Sequence, residues 1–243
     1  MSTQGRSQGR SERAASIRAE QARKERNRRV ALIAVIVVVL GAIVAAGTWY
    51  SSGGKADPPA AAVTVTAGND SIFVGKSGAP VQVVIYEDFL CPYCRELESS
   101  TRDFLRENAA DGKVRVEYRP INLLTQYSYS ARSLNAWAAV LKHGTAKQAL
   151  KLHDLLYENQ PYETSSDNTS DADIAALVAQ AGADNDAVKA ALKSQDKAFF
   201  AAALAAMTTA HIQGTPTVLI DGQVLTGSVA EQVSAIEDAV AKG

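Results

Sequence analysis

The chain has 243 residues, 47% of them hydrophobic, and a formal net charge of −1; this allows one substantial domain with appendages. The charge is uneven: residues 1–29 hold nine Lys/Arg and three Glu, a net of +6, which leaves −7 for the rest, and an acidic body of this kind argues against a nucleic-acid-binding fold. Two cysteines, three positions apart, exclude a disulfide framework and a four-cysteine zinc site.

In chain order, residues 1–29 are rich in Arg, Ser, Gln and Glu and read as a basic cytoplasmic tail. Val30–Tyr50 then runs without a charge. At ~1.5 Å per residue about 20 residues cover roughly 30 Å, enough to cross a bilayer. Arg28 and Arg29 precede the run, and Trp49 and Tyr50 end it. The positive-inside bias then leaves the N-terminus in the cytoplasm and the body outside. A leader cleaved near Val44-Ala45-Ala46 is the competing reading, but the run exceeds the ~7–15 residues of a leader's apolar region. Residues 51–62, rich in Gly, Pro and Ala, are a linker.

The domain is expected over 63–243. Val81–Tyr86, after Gly78-Ala79-Pro80, predicts a buried strand. Pro92–Asn108 predicts a helix stopping around Asp111-Gly112, and Lys113–Tyr118 a second strand parallel to the first. From about 126 to 210 the pattern turns helical and Ala/Leu-rich, with segments Tyr127–Lys142, Ala146–Asn159, Asp171–Ala181 and Asp184–Thr209. Tyr127, Tyr129, Trp137 and Tyr157 supply the core of this block. Thr217–Ile220 and Gln223–Thr226 flank Asp221-Gly222, a hairpin signal, and Val229–Ala241 closes the chain as a helix. The order strand, helix, strand, helical block, hairpin, helix is an α/β arrangement.

Phe89-Leu90-Cys91-Pro92-Tyr93-Cys94 follows a predicted strand and opens a predicted helix, and this context gives the Cys-x-x-Cys its meaning. At the helix start, free backbone N–H groups and the positive end of the dipole favour a thiolate at Cys91. Cys94, one turn on, lies on the same face and further inside. A stabilised Cys91 thiolate favours the dithiol and makes the Cys91–Cys94 disulfide oxidising. An inert disulfide is the bland alternative, but so short a ring constrains little of the unfolded chain. A metal site needs partners, and His143, His153 and His211 are scattered. Glu87 and Asp88 precede the motif on different strand phases and are candidates for a proton relay to the pair. Gly214-Thr215-Pro216-Thr217 places a proline at a strand entry, unusual outside edges and special turns.

Taken together, Cys-Pro-Tyr-Cys at a helix start, a long helical insertion and Gly-Thr-Pro-Thr before a hairpin and final helix resemble the DsbA-like branch of the thioredoxin superfamily, over roughly residues 71–243. The resemblance is closest to membrane-anchored extracytoplasmic members. It implies a thioredoxin-like fold with a large helical insertion behind one N-terminal transmembrane helix. Cys91 is then the attacking and Cys94 the resolving cysteine, and Pro216 is cis and faces the disulfide. Thr215 offers backbone groups to an extended substrate, and Phe89, Pro92 and Tyr93 are candidates for touching it. It implies a monomeric oxidase with no cofactor and no metal, acting on cysteine-containing secreted or surface proteins. Its re-oxidation would fall to a quinone-linked membrane partner of the DsbB or VKOR type. Pro-Tyr between the cysteines also occurs in glutaredoxins and isomerases, where strong oxidases often have Pro-His. An isomerase or reductase therefore remains an alternative, as does a binding module for unfolded segments.

Overall fold

The computed structural model describes residues 63–243; the expected tail, transmembrane segment and linker lie outside them. The described residues form a six-stranded sheet of order β1-β2-β4-β3-β5-β6. The strands are β1 (Val65–Ala67), β2 (Ile72–Val74), β3 (Val81–Glu87), β4 (Val114–Pro120), β5 (Thr217–Ile220) and β6 (Gln223–Val224). β3 and β4 pair in parallel, Val83 opposite Val116 and Ile85 opposite Tyr118, while every other pairing is antiparallel. The two central strands are the β-branched runs read from the sequence, which pack well on a pleated surface covered on both sides. β1 and β2 form an edge hairpin that the sequence reading missed; three-residue strands are too short to show a period.

Helix α1 (Pro92–Asp111) connects β3 to β4. Pro92 opens it, where a missing N–H costs nothing, and Gly112 closes it at φ 82°, a left-handed position suited to glycine. Its inward stripe is Cys94, Leu97, Glu98, Thr101, Leu105, Arg106 and Ala109. Glu98 and Arg106 are charged and long, an unusual content for a buried face. The C-terminal helix α7 (Val229–Lys242), started by a Ser228–Glu231 capping box, packs beside α1 and touches β3 and β5.

Between β4 and β5 the chain forms the helical insertion: α2 (Ser128–His143), α3 (Ala146–Glu158), a 3₁₀ turn (Glu163–Asn168), α4 (Asp171–Gln180), α5 (Asp186–Ala191) and α6 (Lys197–Thr209). Thr145 with Gln148, and Ser170 with Asp173, form capping boxes that start α3 and α4. Trp137 is fully buried among these helices and donates its indole N–H to the Ala149 carbonyl at 3.0 Å. Tyr129 and Tyr157 are buried and Tyr127 packs against the core, as the helical spacing suggested. The single helix expected over Asp184–Thr209 is instead two. Asp196 caps α6 by accepting from the Phe199 N–H, and its own N–H is bound by Asn135 of α2. Contacts from another helix fix that break. Helix α3 also reaches β1, β2 and α1, tying the insertion to the sheet.

Candidate active site

The site starts where β3 ends. Asp88 accepts from the N–H groups of Leu90, Leu123 and Leu124 and from the Ser130 hydroxyl, at 2.6–3.0 Å. One carboxylate thus binds the turn before Cys91 to the loop entering the insertion. Phe89 is fully buried, its ring 5.4 Å from Tyr157 and 6.3 Å from Trp137, centroid to centroid. The expectation that Phe89 touches substrate is therefore corrected: an aromatic ring at this point gains more from the insertion core than from solvent. Pro92 and Tyr93 are exposed, Tyr93 by 61%.

Cys91 is the N-cap residue of α1, extended at φ −68°, ψ 119°. Its thiol donates to the Thr215 carbonyl at 3.2 Å. The Thr215–Pro216 peptide bond is cis, in agreement with the resemblance. The two segments 124 residues apart thus meet at the sulfur. The Cys91 pKa falls to about 6. Hydrogen bonding from the Cys94 thiol is the main cause, and the Thr215 side chain and the backbone N–H groups of Cys94 and Tyr93 add to it against the effect of burial. Helix-start N–H groups contribute, as the sequence suggested, but the neighbouring thiol matters more. Cys94 is 1% exposed and its pKa is well raised, by burial first and then by the Cys91 sulfur and the Glu87 charge. The pair therefore divides into an easily ionised outer sulfur and a proton-holding inner one.

Near Cys94 lies a buried cluster built on Glu87, one of the two acids that precede the motif; its partners on α1 and α3 were not visible in the sequence. Glu87, the last residue of β3, is 2% exposed and lies 2.7 Å from Nε2 of His153, itself fully buried on α3. His153 Nδ1 faces Asp154 at 3.2 Å and Glu98 at 3.8 Å. Arg102 pairs with Glu98 at 2.7 Å and also with Glu158; Arg106 pairs with Asp154 at 2.6 Å. Burial opposes charge on His153, but Glu87, Glu98 and Asp154 outweigh it and push its pKa up to about 10. Burial raises the Glu87 pKa. Burial works against the Asp154 carboxylate too, yet hydrogen bonding from His153 and the Arg106 charge hold its pKa below the ordinary value. The donor atoms of Glu98, His153 and Asp154 come within 4.8 Å of one another. Two guanidinium groups already answer both carboxylates, which is the chemistry of an ion-pair network.

Helix α3 also grips the cysteine turn directly. Gln160, just past its end and buried, donates from Nε2 to the carbonyls of Phe89 and Cys91, both at 3.0 Å. The Tyr157 hydroxyl donates to the Asp88 carbonyl at 3.4 Å. His153, Tyr157 and Gln160 stand at i, i+4 and i+7, one helical face. That row of polar and aromatic residues in an otherwise Leu-rich helix was the available signal. His143 and His211 take no part in this cluster: His143 ends α2, and His211 lies exposed after α6 at φ 55°.

A central parallel β–α–β unit, a Cys-x-x-Cys pair at its helix start and a facing cis-proline define a thioredoxin-type dithiol site. The chain belongs to the thioredoxin family, whose model, described as Thioredoxin, matches residues 67–238. A curated relative, the serine/threonine-protein kinase PknE of Mycobacterium tuberculosis, is 30% identical over 151 residues, 58% of this chain and 27% of the kinase. The match thus spans only about a quarter of that relative. Among solved structures, MdbA of Corynebacterium diphtheriae, a thiol-disulfide oxidoreductase, superposes with a TM-score of 0.59 at 21% identity, covering 76% of this chain and all of that one. DsbA from Mycobacterium tuberculosis, in its reduced form, gives a TM-score of 0.56 at 22% identity over 73% of this chain and 92% of that one. The fold is thus the DsbA-like one: thioredoxin-like α/β with a helical insertion.

Proposed function

We propose that the protein is a thiol–disulfide oxidoreductase that works as an oxidase, forming disulfides in secreted or cell-surface proteins. The observation that carries this reading is the asymmetry of the two sulfurs. Cys91 ionises near pH 6, whereas buried Cys94 keeps its proton. A thiolate that stable favours the dithiol, which makes the Cys91–Cys94 disulfide oxidising, and makes Cys91 a good leaving group from a mixed disulfide. A substrate thiolate attacks the Cys91 sulfur, and Cys94 leaves with the proton it needs. A second substrate thiol then attacks its own sulfur in the mixed disulfide and releases Cys91. The substrate loses two electrons and the enzyme pair gains them. Pro92 and Tyr93 on one side and the Thr215 backbone on the other flank the approach to Cys91.

In this reading Val30–Tyr50 anchors the chain with its catalytic domain outside the cytoplasm. Supporting it are the uncharged run and the arginines before it. Among the described residues no helix is long and apolar enough to cross a membrane. A quinone-linked membrane re-oxidase would return the disulfide. The test is oxidation of a reduced dithiol peptide by the oxidised full-length chain. Rapid transfer by the wild type and its loss in Cys91→Ser are expected; transfer that survives Cys91→Ser would reduce the cysteines to bystanders in a binding module. A reduction potential near −120 mV supports an oxidase, and one near −270 mV a reductase.

A further inference from the structure

Among the described residues the large apolar side chains left in solvent are Tyr93, Tyr162, Leu204 and Val224. Single exposed apolar residues are ordinary on a protein surface, but two of these four belong to the reactive turn. Tyr93 follows Cys91 by two positions on α1 and is 61% exposed; Tyr162, of the insertion, is 78% exposed. Tyr162 is tied to the turn through Gln160, whose buried amide donates to the carbonyls of Phe89 and Cys91, both at 3.0 Å. Two residues of backbone span at most about 7 Å and a stretched glutamine side chain about 5 Å, which puts the Tyr162 Cα within about 15 Å of the Cys91 carbonyl. Its backbone is held there. Tyr162 is the extended N-cap of the 3₁₀ turn, at φ −66° and ψ 142°, and its carbonyl accepts from the Ser165 N–H at 2.9 Å and from the Ser165 hydroxyl at 3.3 Å. Ser166 of that turn is buried, and Asp167 accepts from Ser128 of α2 at 2.8 Å. The Tyr162 side chain itself makes no hydrogen bond and no ring contact among the described residues. Beside Tyr93 a hollow of about 490 Å³, lined by Pro92, Tyr93, Arg95, Glu96 and Ser99, opens on the outer face of α1.

We propose that Tyr162, supplied by the helical insertion, is a specificity-determining residue: with Tyr93 it binds a large apolar or aromatic side chain of an extended client, a few residues from the cysteine that reacts with Cys91. The inference rests on the oxidoreductase reading above. An extended client advances ~3.3 Å per residue, so the reach from Cys91 to Tyr162 corresponds to about four or five residues. Aromatic rings pack on apolar and aromatic partners, offset or edge-on. A tyrosine on a fixed backbone offers that surface with only two side-chain torsions to immobilise. Large apolar side chains near a client cysteine are core residues once the client has folded, and they meet solvent only before that. The two rings thus direct the enzyme to unfinished chains. Neither Cys91 nor the Thr215 backbone can make that choice, because every client offers them the same sulfur and the same peptide groups.

The experiment uses the oxidised full-length chain and reduced dithiol peptides of one length, with Phe or Ser placed in turn at each of the first few positions on either side of one cysteine. Single-turnover oxidation at rising peptide concentration separates half-saturation from the limiting rate. In the wild type, Phe is expected to lower the half-saturating concentration about 3- to 10-fold relative to Ser at one or two positions. In Tyr162→Ser that preference is expected to shrink to within about 2-fold at the same positions, whereas Tyr162→Phe keeps it, because the ring and not the hydroxyl makes the contact. A wild type that treats Phe and Ser peptides alike at every position overturns the proposal, as does a Tyr162→Ser preference equal to that of the wild type. A Tyr162→Ser defect confined to the limiting rate, with a shifted pH profile of Cys91 alkylation, overturns it as well: the residue would then act through the Gln160 clamp on the turn. If the wild type oxidises no peptide of either kind, the oxidoreductase reading itself fails, and this role for Tyr162 falls with it.

Discussion

The turn that carries Cys91 and the insertion helix that lies behind it are built in opposite ways. The turn is local: Phe89, Leu90 and Cys91 are neighbours in sequence, held by a cap, a proline and one aspartate. Helix α3 contributes nothing reactive, yet three of its side chains and Gln160 reach residues 48–71 positions away. The comparison teaches that a thioredoxin-type pair is presented by local structure, while the carbonyls of its turn and the acid that ends β3 are held by a remote helix. The insertion is thus part of the site, and more than a cover over it.

The largest test of that division is Arg106→Met. It removes the guanidinium nearest to buried Asp154, and a loss of about 3–5 kcal/mol is expected in urea unfolding of the reduced and oxidised protein alike. A loss confined to one redox state would show that the α1–α3 junction is itself redox-dependent. Next comes pH. The Cys91 pKa falls from 9.0 to about 6. The thiolate's stabilisation of the reduced protein is therefore complete above pH 9, where the unfolded thiol is ionised too, and is lost as pH falls through 6. At most about 4 kcal/mol is involved, less after solvent screening. Unfolding of reduced against oxidised protein between pH 5 and 9 measures it, and a constant difference would contradict a local origin of the thiolate. His153 has the opposite sign. Its raised pKa contributes stability below about pH 6.5 that is lost as pH climbs through about 10.

Gln160→Ala removes the clamp on the Phe89 and Cys91 carbonyls. A cost of about 1–3 kcal/mol is expected, with a shifted pH profile for Cys91 alkylation. An unchanged profile would confine Gln160 to stability. The smallest effect is Tyr93→Ala at an exposed position. Stability should change by less than about 0.5 kcal/mol. Slower exchange with peptide substrates through a raised KM is expected if Tyr93 contacts them. Unaltered exchange would place substrate contact elsewhere on the turn.

Much of this could be read from the residues in order. The two central strands, the helix opened by Pro92 and the hairpin at Asp221-Gly222 all announce themselves, because period and turn chemistry are properties of a few consecutive residues. So does the Cys-Pro-Tyr-Cys site, whose inner and outer sulfurs follow from one helical turn. Periodicity says which face of a helix is buried, but not what it is buried against. Glu87 and His153 lie 66 residues apart, and only the seating of α3 against β3 and α1 brings them to 2.7 Å. Likewise the break before α6 is fixed by Asn135 from another helix, and Phe89 exchanges an expected place on the surface for one in the insertion core. Neighbour-to-neighbour sterics settle the elements; long-range packing and charge compensation choose which side chains meet, and here they choose the buried partners of Glu87.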